Sequence, residues 1–360
     1  MKYINEFRNK DASLKIVEDI KRVLGGKEIT LMEVCGTHTM AIYRYGIKGM
    51  LPEGIRLLSG PGCPVCVTDD SYIDGAIELS RKNDVIVTTF GDMMKVPGSE
   101  SSLEKEKANG SDIRVVYSVL DALNIAVENP RKKVVFLGVG FETTVPTIAY
   151  TLISAGKKGI KNFFVLSAHK VIPPAMEAIV SGDRVNIDGF ICPGHVSTII
   201  GSVPYEFLAR DYGVPCVIAG FEPIDILQSI YMLVRQVSEN RSEVEIQYTR
   251  SVKVEGNIKA RLIVDRVFEK DDAVWRGIGV IPGSGLKIRD EFGEFNAEHV
   301  FSFEYKPVKK NNGCICGKIL QGINTPDECK LFRKVCTPET PVGPCMVSSE
   351  GTCAAYYKYT

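Results

Sequence analysis

The sequence has little of two things: net charge and long hydrophobic runs. Lysine plus arginine and aspartate plus glutamate number 44 each among 360 residues, so the formal net charge is zero. Without a basic surplus we expect no nucleic-acid partner. The longer uncharged stretches, such as residues 143–156, are too short or too rich in glycine and proline to cross a bilayer, so we expect no membrane partner.

A third absence concerns export. Residues 1–10 are charged and lack the apolar core of a signal peptide. The cysteine count, eleven, is odd and far below the density of a secreted disulfide scaffold. We therefore expect a cytoplasmic protein of two or three domains, whose cysteines are metal ligands or redox thiols.

Short apolar strands alternate with helix-length segments over most of the chain. The predicted strands are 29–34, 55–58, 85–90, 113–117, 134–139, 163–166, 187–191 and 216–219. Near-continuous apolar strands of this kind are typical of parallel sheets covered on both faces, which indicates the α/β class. Asn129-Pro130 divides the strands into two sets, so we predict two Rossmann-like domains that face a cleft, residues 28–129 and 130–238.

The remaining residues, 1–27 together with 239–360, are predicted to form a third, cysteine-rich domain. Helical periodicity marks residues 11–24, with Asp11 as a possible cap, and residues 224–237. Residues 243–268 and 275–286 resemble antiparallel or irregular structure.

Two thiols, Cys63 and Cys66, lie where a strand passes into a helix. The turn Gly60-Pro-Gly62 ends the strand, and a helix is predicted beyond Asp70. Amide N–H groups and the helix dipole favour a thiolate at such a place. C-x-x-C there suits either a dithiol/disulfide couple or two ligands for one metal, and the alternative is a pair of buried apolar cysteines.

Other polar motifs also follow predicted strands. In parallel sheets functional groups gather beyond the carboxyl ends of the strands, so these motifs could line one cleft. His38 could orient or protonate the surroundings of Cys35, or could bond to backbone in a turn. Glu142 is a candidate pocket carboxylate that could instead cap its own helix. His195 is a candidate proton donor or a structural histidine.

The last segment holds six cysteines among prolines and glycines. They are Cys314, Cys316, Cys329, Cys336, Cys345 and Cys353. A tail of this composition buries little apolar surface and needs a covalent or metal anchor. Spread thiolates without histidine favour a [4Fe–4S] cluster, which needs four cysteines and leaves two that could form a couple. Zinc and structural disulfides are the alternatives.

Five segments together resemble the HypD family of hydrogenase-maturation factors, over essentially the whole chain. They are Cys35-Gly-Thr-His38, Gly60-Pro-Gly-Cys-Pro-Val-Cys66, Gly140-Phe-Glu-Thr-Thr144, Pro193-Gly-His-Val-Ser197 and Met346-Val-Ser-Ser-Glu-Gly-Thr-Cys-Ala354. Any one of them could occur by chance, whereas all five in this order are highly specific.

The resemblance implies a role in assembling the iron site of [NiFe] hydrogenases. HypD-like proteins work with the small partner HypC and receive cyanide from HypE, which makes it from carbamoyl phosphate supplied through HypF. The complex builds an iron that carries two CN⁻ and one CO, and passes it to the hydrogenase large subunit. The implied fold has two α/β domains facing a cleft and a third domain with a [4Fe–4S] cluster, whose surroundings resemble ferredoxin:thioredoxin reductase.

The resemblance also implies site residues. Its motif cysteines, implicated in holding iron or in redox work, match Cys35, Cys63 and Cys66. Its other shared motifs contain His38, Glu142 and His195. Its cluster cysteines map best to Cys314, Cys316, Cys329, Cys336 and Cys353. Cys345 fits that pattern least.

Soft thiolates are the best ligands for low-spin Fe(II) that carries CN⁻ and CO. We hypothesise that Cys35, with a thiolate from HypC, ligates this iron. Cys63 and Cys66 then either complete the coordination or cycle as a dithiol/disulfide pair coupled to the tail cluster. The leading interpretation is an assembly scaffold with thiol redox activity. The alternative is a [4Fe–4S]-dependent thiol-disulfide oxidoreductase, and a zinc-stapled binding protein is a third class.

Overall fold

The computed structural model describes residues 5–182, 185–303 and 313–360, and within them the strands form two parallel sheets and one hairpin. The strands are β1 (Ile29–Glu33), β2 (Ile55–Ser59), β3 (Val85–Thr89), β4 (Ile113–Val115), β5 (Lys133–Gly138), β6 (Phe163–Ser167), β7 (Gly189–Pro193), β8 (Cys216–Ala219), β9 (Val244–Ile246), β10 (Phe268–Trp275) and β11 (Gly279–Ile288).

The helices of the same residues include several of a single turn. They are α1 (Lys10–Leu24), α2 (Gly36–Arg44), α3 (Ile47–Met50), α4 (Pro64–Val67), α5 (Asp70–Ser80), α6 (Leu103–Ala108), α7 (Val119–Glu128), α8 (Val145–Lys157), α9 (Ile172–Val180), α10 (Gly194–Ile200), α11 (Glu206–Tyr212), α12 (Pro223–Ser238), α13 (Ile258–Val267), α14 (Ala297–Val300), α15 (Cys316–Leu320) and α16 (Thr352–Tyr359).

The first sheet has five strands in the order β2-β1-β7-β8-β9, and the second has four in the order β4-β3-β5-β6. All neighbours within them are parallel. Strands β3 and β7 are buried at every residue, because helices cover both faces of each sheet. The predicted α/β class with two parallel sheets is confirmed, and all eight predicted strands are present.

The predicted division of the strands at residues 129 and 130 is wrong. Strand β1 pairs with β7 through Leu31 and Gly189, and β3 pairs with β5 through Val85 and Lys133. Each sheet therefore takes strands from both sides of Asn129-Pro130. The local apolar pattern marks where strands lie but not which strands become neighbours, and a right-handed crossover can join distant ones.

The amino-terminal helix belongs to the first sheet. Asn9, rather than the predicted Asp11, caps α1 by accepting the N–H of Ala12, and Gly25 ends the helix in a left-handed conformation. The buried side of α1 joins the apolar core beneath α12, where Ile20 and Leu24 have almost no exposed surface. The predicted third domain required residues 10–24 to pack with the cysteine-rich tail. They pack against α12 instead.

The region after α12 is partly as predicted. Strands β10 and β11 form an antiparallel hairpin, but residues 244–246 add a fifth parallel strand and residues 258–267 form a helix that the sequence pattern did not indicate.

The tail consists of α15 and α16 with turns between them, and α16 packs against α2. Residues 304–312 of the predicted third domain lie outside the described residues. None of the described helices combines the length and apolar composition that a membrane crossing requires.

Candidate thiol and metal site

Cys35 and the Cys63/Cys66 turn meet at the carboxyl ends of two neighbouring strands. Cys35 follows β1 and occupies the position just before α2. The turn follows β2, which pairs with β1 along its whole length. The N–H of Gly36 donates to the carbonyl of Gly62 at 3.0 Å. A Cβ on Gly62 would overlap the backbone N and Cα of Cys35, so only glycine permits this approach. The predicted gathering of these cysteines at one sheet edge is found.

Cys63 and Cys66 are paired as a disulfide, with their Cα atoms 5.3 Å apart. Cys63 occupies the position before α4, where its sulfur accepts the N–H of Cys66 at 3.3 Å. Pro64 begins this one-turn helix, as its fixed φ allows. Both sulfurs are buried. In this state the pair offers no thiolate, so ligation of a metal by either sulfur would first require reduction of the bond.

Two carboxyl groups flank Cys35. Glu33 accepts the N–H of Cys35 at 2.9 Å and the hydroxyl of Thr39, and burial raises the pKa of Glu33 to about 7. Burial, and then the nearby charge of Glu350, raise the pKa of the Cys35 thiol to about 12, although backbone N–H groups at the start of α2 act in the opposite direction. Free Cys35 is therefore a protonated thiol at neutral pH, and a cation bound to its sulfur would favour the thiolate.

The tail forms a cover over this site. Glu350 accepts the hydroxyl of Thr37 at 2.6 Å, and Gly36 lies against the Glu350 backbone with no room for a Cβ. The hydroxyl of Ser348 donates to Asp92, which follows β3, at 3.1 Å. The sequence reasoning assigned no role to Glu350. Its only signal was its place in the tail segment that carries the family resemblance.

Two histidines flank one phenylalanine beside the same sheet edge. The ring of Phe221, which follows β8, stacks on His38 with centroids 4.8 Å apart and on His195 with centroids 3.9 Å apart. Nε2 of His38 bonds to the carbonyl of Gly220 at 2.9 Å, and burial lowers the pKa of His38 to about 4. Its ring is thus neutral and bound to backbone. This is the second of the two roles predicted for His38, a histidine that bonds to backbone in a turn. His195 is exposed at the edge of the stack.

Glu142 lies in a different setting. It is buried, and its Oε1 accepts the N–H of Ile172, the first residue of α9, at 2.9 Å. It does not cap its own helix, α8, for which no side-chain cap is found. Glu142 lines a cavity of about 590 Å³ whose described lining residues include no cysteine. Glu142 is therefore a pocket carboxylate, as the sequence indicated, but in a pocket other than that of the thiols.

The tail thiols form a second group. The Cys314 thiol donates to the Cys316 sulfur at 3.1 Å, and hydrogen bonds from Cys314, Cys345 and Cys353 hold the pKa of Cys316 well below its ordinary value. Cys336 is close enough to Cys353 to interact electrostatically. Cys345, which fitted the cluster pattern least, is in direct contact with Cys316. The tail is thus a compact set of soft sulfur donors.

The donor chemistry of this set fits an iron–sulfur cluster, because such clusters are bound by four thiolates. Cys329 completes the set through its interaction with Cys314. Across residues 5–182, 185–303 and 313–360, however, no three His, Cys, Asp or Glu side chains are placed to hold a metal ion.

The β10–β11 hairpin connects the two thiol groups. At its tip, Arg276 donates its backbone N–H to the carbonyl of Val67 at 2.9 Å and its Nε to the carbonyl of Thr68 at 2.7 Å, and it forms an ion pair with Asp70. The next residue, Gly277, accepts Nε2 of Gln321, just beyond α15, at 2.7 Å. The turn with Cys66 and the helix with Cys316 are therefore bound to consecutive residues of one loop.

Comparison with known proteins identifies the family of the chain. Residues 11–360 match HypD, described as "Hydrogenase formation hypA family". The chain is 50% identical to "Hydrogenase maturation factor HypD2" of Bradyrhizobium diazoefficiens and 48% identical to "Hydrogenase maturation factor HypD" of Cupriavidus necator. It is also 48% identical to "Hydrogenase expression/formation protein HupD" of Azotobacter chroococcum. Each alignment covers 100% of this chain and 97% of the relative.

These relatives define the class: factors for the formation and maturation of hydrogenases. The chain belongs to the HypD family. The predicted resemblance is confirmed, and so is the general role in hydrogenase maturation.

Proposed function

We propose that this protein is a cytoplasmic scaffold and redox partner on which the Fe(CN)₂CO group of [NiFe] hydrogenase is assembled. The observation that carries the proposal is the contact between Cys35 and the Gly62–Cys63 turn, which brings three sulfurs to one sheet edge. Cys35 is the only one of the three that is not already in a disulfide. Cys35 is accordingly the residue we expect to bind the iron cargo.

Binding of the cargo iron requires changes at the thiols. The Cys35 proton must leave when its sulfur ligates iron. Reduction of the Cys63–Cys66 bond takes up two electrons and two protons and gives two thiols. Either thiol must then lose its proton before its sulfur can ligate iron. The disulfide supports the hypothesis that the pair cycles between dithiol and disulfide during assembly. Iron ligation by the reduced pair is the other possibility.

Partners complete the proposed reaction. A second thiolate for the iron comes from HypC, cyanide comes from HypE, and the finished group goes to the hydrogenase large subunit. Only 8% of the Cys35 surface is exposed, and Glu350 covers the neighbouring Gly36. A partner sulfur therefore has to enter beside the tail, or the residue 344–351 segment has to move when the partner binds.

The tail would hold a [4Fe–4S] cluster through four of five cysteines. They are Cys314, Cys316, Cys329, Cys336 and Cys353. When bound, such a cluster supplies one-electron transfer. The contact between Cys316 and Cys345 supports a separate couple formed by these two thiols. The backbone of Arg276 and Gly277 then keeps the tail thiols and the Cys63–Cys66 pair in a fixed relation.

Purification of the full chain with HypC under argon, followed by iron analysis and infrared spectroscopy, tests the proposal. We expect more iron than one cluster contains, together with CN and CO stretching bands. The disulfide itself favours the alternative, a cluster-dependent thiol-disulfide oxidoreductase, which would carry cluster iron alone and no such bands. That result would remove the scaffold function. Zinc without a brown chromophore would remove both.

A further inference from the structure

A short piece of the tail is attached to both parallel sheets. Ser348 donates its hydroxyl to Oδ2 of Asp92 at 3.1 Å, and Asp92 follows β3 of the second sheet. Glu350 accepts the hydroxyl of Thr37 at 2.6 Å, and Thr37 lies in α2, which follows β1 of the first sheet. Residues 348–350, which we call the latch, therefore connect the carboxyl ends of the two sheets beside the thiol site.

One hydroxyl group holds the latch in shape. Besides donating to Asp92, Oγ of Ser348 accepts the backbone N–H of Glu350 at 3.2 Å. Loss of this hydroxyl would release the contact with the second sheet and, at the same time, free the backbone of Glu350. The latch is thus fastened by Ser348 on one side and by the Glu350 carboxylate on the other.

The latch lies directly on the turn that carries Cys35. A Cβ on Gly36 would overlap the Cβ and the carbonyl oxygen of Glu350, so the two segments pack backbone against side-chain root without a gap. After burial, the charge of Glu350 is the largest cause of the raised pKa of the Cys35 thiol, which places these side chains close together. An iron atom that carries several other ligands needs more room at this sulfur than the 8% exposure of Cys35 provides.

The ends of the latch are fixed, which confines any opening to the latch itself. Cys345 and Met346, which precede it, are buried at 0% and 1% exposure. Gly351, which follows it, lies so close to Cys345 that a Cβ there would overlap the Cys345 carbonyl oxygen. A loop whose ends meet in this way can move without displacing the structure on either side.

The forces that close the latch are small. Burial, and to a lesser extent the charge of Asp92, raise the pKa of Glu350. The two carboxyl groups are therefore near each other, and they repel when both are ionised. Among the described contacts, the side-chain bonds that oppose this repulsion come from Ser348 and Thr37. Closed and open positions thus differ by little free energy, and the latch can open without unfolding of the protein.

We propose that the latch keeps Cys35 covered and must open, by breaking the bond between Ser348 and Asp92, before the Cys35 sulfur can accept iron. This inference rests on the proposed function, because it takes Cys35 as the ligand of the iron cargo. Its test uses neither iron nor a partner protein. The latch can therefore fail while the infrared result stands, and the reverse also holds.

The rate at which iodoacetamide alkylates Cys35 in the full chain measures how often the latch is open. Loops open and close much faster than iodoacetamide reacts, so the rate follows the fraction of open molecules. The reaction is run under argon without reductant, which keeps the Cys63–Cys66 disulfide intact. Mass spectrometry of the Cys35 peptide gives the initial rate, before the tail thiols react appreciably.

Ser348→Ala removes the hydroxyl without changing any charge. We expect Cys35 to react roughly fivefold faster, because loss of one hydrogen bond shifts the equilibrium toward the open position by about this factor. Asp92→Asn keeps an acceptor for Ser348 and removes the repulsion on Glu350. Cys35 should react no faster in this variant than in the unaltered protein, although loss of a nearby negative charge would by itself favour the thiolate.

Ser99→Ala is the matched control for Ser348→Ala. Ser99 donates its hydroxyl to Oδ2 of Asp74 at 2.5 Å, so this substitution breaks the same kind of bond without involving the tail. Its Cys35 rate should equal that of the unaltered protein. Three results would overturn the proposal: an unchanged rate in Ser348→Ala, an equal acceleration in Ser99→Ala, and a faster rate in Asp92→Asn.

Thr37→Val tests the other fastening and decides the matter if Ser348→Ala does not fold. Valine has the shape of threonine but cannot donate a hydrogen bond to Glu350. The Glu350 carboxylate then loses its partner, so the latch should open more often and Cys35 should again react roughly fivefold faster. A Cys35 rate in Thr37→Val equal to that of the unaltered protein would contradict the latch.

Discussion

Gly62 lies so close to Cys35 that no side chain fits between them, and this contact joins the two halves of the candidate iron site. The hydrogen bond from Gly36 to the Gly62 carbonyl fixes the contact at 3.0 Å. The identity of residue 62 thus controls the distance between Cys35 and the Cys63–Cys66 pair.

Gly62→Ala should separate the two segments. We expect the free energy of unfolding to fall by about 1–3 kcal/mol, because the new methyl group forces the backbone apart. Denaturant unfolding measures this change. Gly49→Ala is the control, because a Cβ at Gly49, in α3, meets no atom within 4 Å. Equal effects of the two substitutions would show that the close contact at Gly62 is not under steric constraint.

Arg276→Ala should release the hairpin tip from the end of α4. Arg276 and Asp70 have only 11% and 17% of their side chains exposed, and Arg276 also bonds to the Thr68 carbonyl. We expect the unfolding free energy to fall by about 1–3 kcal/mol, and reduction of Cys63–Cys66 by dithiothreitol to become faster.

The matched control for Arg276→Ala is Arg210→Ala, measured in the same unfolding experiment. The ion pair between Arg210 and Asp211 is more exposed, at 69% and 49% of the side chains. Exposed pairs of this kind contribute about 0–1 kcal/mol. An unchanged reduction rate in Arg276→Ala would contradict the role of the hairpin in holding the dithiol turn.

His169 should make the protein less stable in acid. It is buried against Ser167 and Phe268, and burial lowers its pKa from 6.5 to about 3. As the pH falls below 6.5 the unfolded chain binds a proton that the folded chain refuses until about pH 3. The unfolding free energy therefore falls with decreasing pH, by up to about 1.4 kcal/mol per pH unit from this group.

His169→Gln should remove that part of the pH dependence between pH 6 and about pH 4, whatever it does to the stability at pH 7. Glu33 and Glu142, whose pKa values are raised to about 7, act in the opposite direction, since their contribution falls as the pH rises from 4.5 to 7. Both are present in every variant and cancel in the comparison. His299→Gln, at an exposed position, is the control. Parallel pH curves for all three proteins would refute the assignment.

The tail thiols should fall into two sets, the ligands of the cluster and a pair that cycles between dithiol and disulfide. Cys353→Ser should lower the iron bound by the purified chain, whereas Cys345→Ser should retain the cluster absorbance and alter only thiol titration. The basis is that Cys345 lies outside the predicted cluster set but contacts Cys316. Iron analysis with visible absorption measures both. Equal iron loss in the two variants would place Cys345 among the ligands.

Local signals in the sequence predicted the strands and the Cys63–Cys66 turn, because apolar runs, glycine and proline act over a few residues. They could not predict that β1 pairs with β7, or that Glu350 covers Gly36, since these contacts join residues more than 150 positions apart. The stacking of Phe221 on His38 was missed for the same reason. The position of Glu142 in a separate cavity likewise follows from packing rather than from its motif.

The most direct test of the central claim is the infrared spectrum of the complex of Cys35→Ala with HypC, purified anaerobically beside the unaltered complex. Loss of the CN and CO bands, with the cluster absorbance of the tail retained, is the predicted result. Bands of undiminished intensity in the Cys35→Ala complex would mean that the iron is held elsewhere, and would contradict the account.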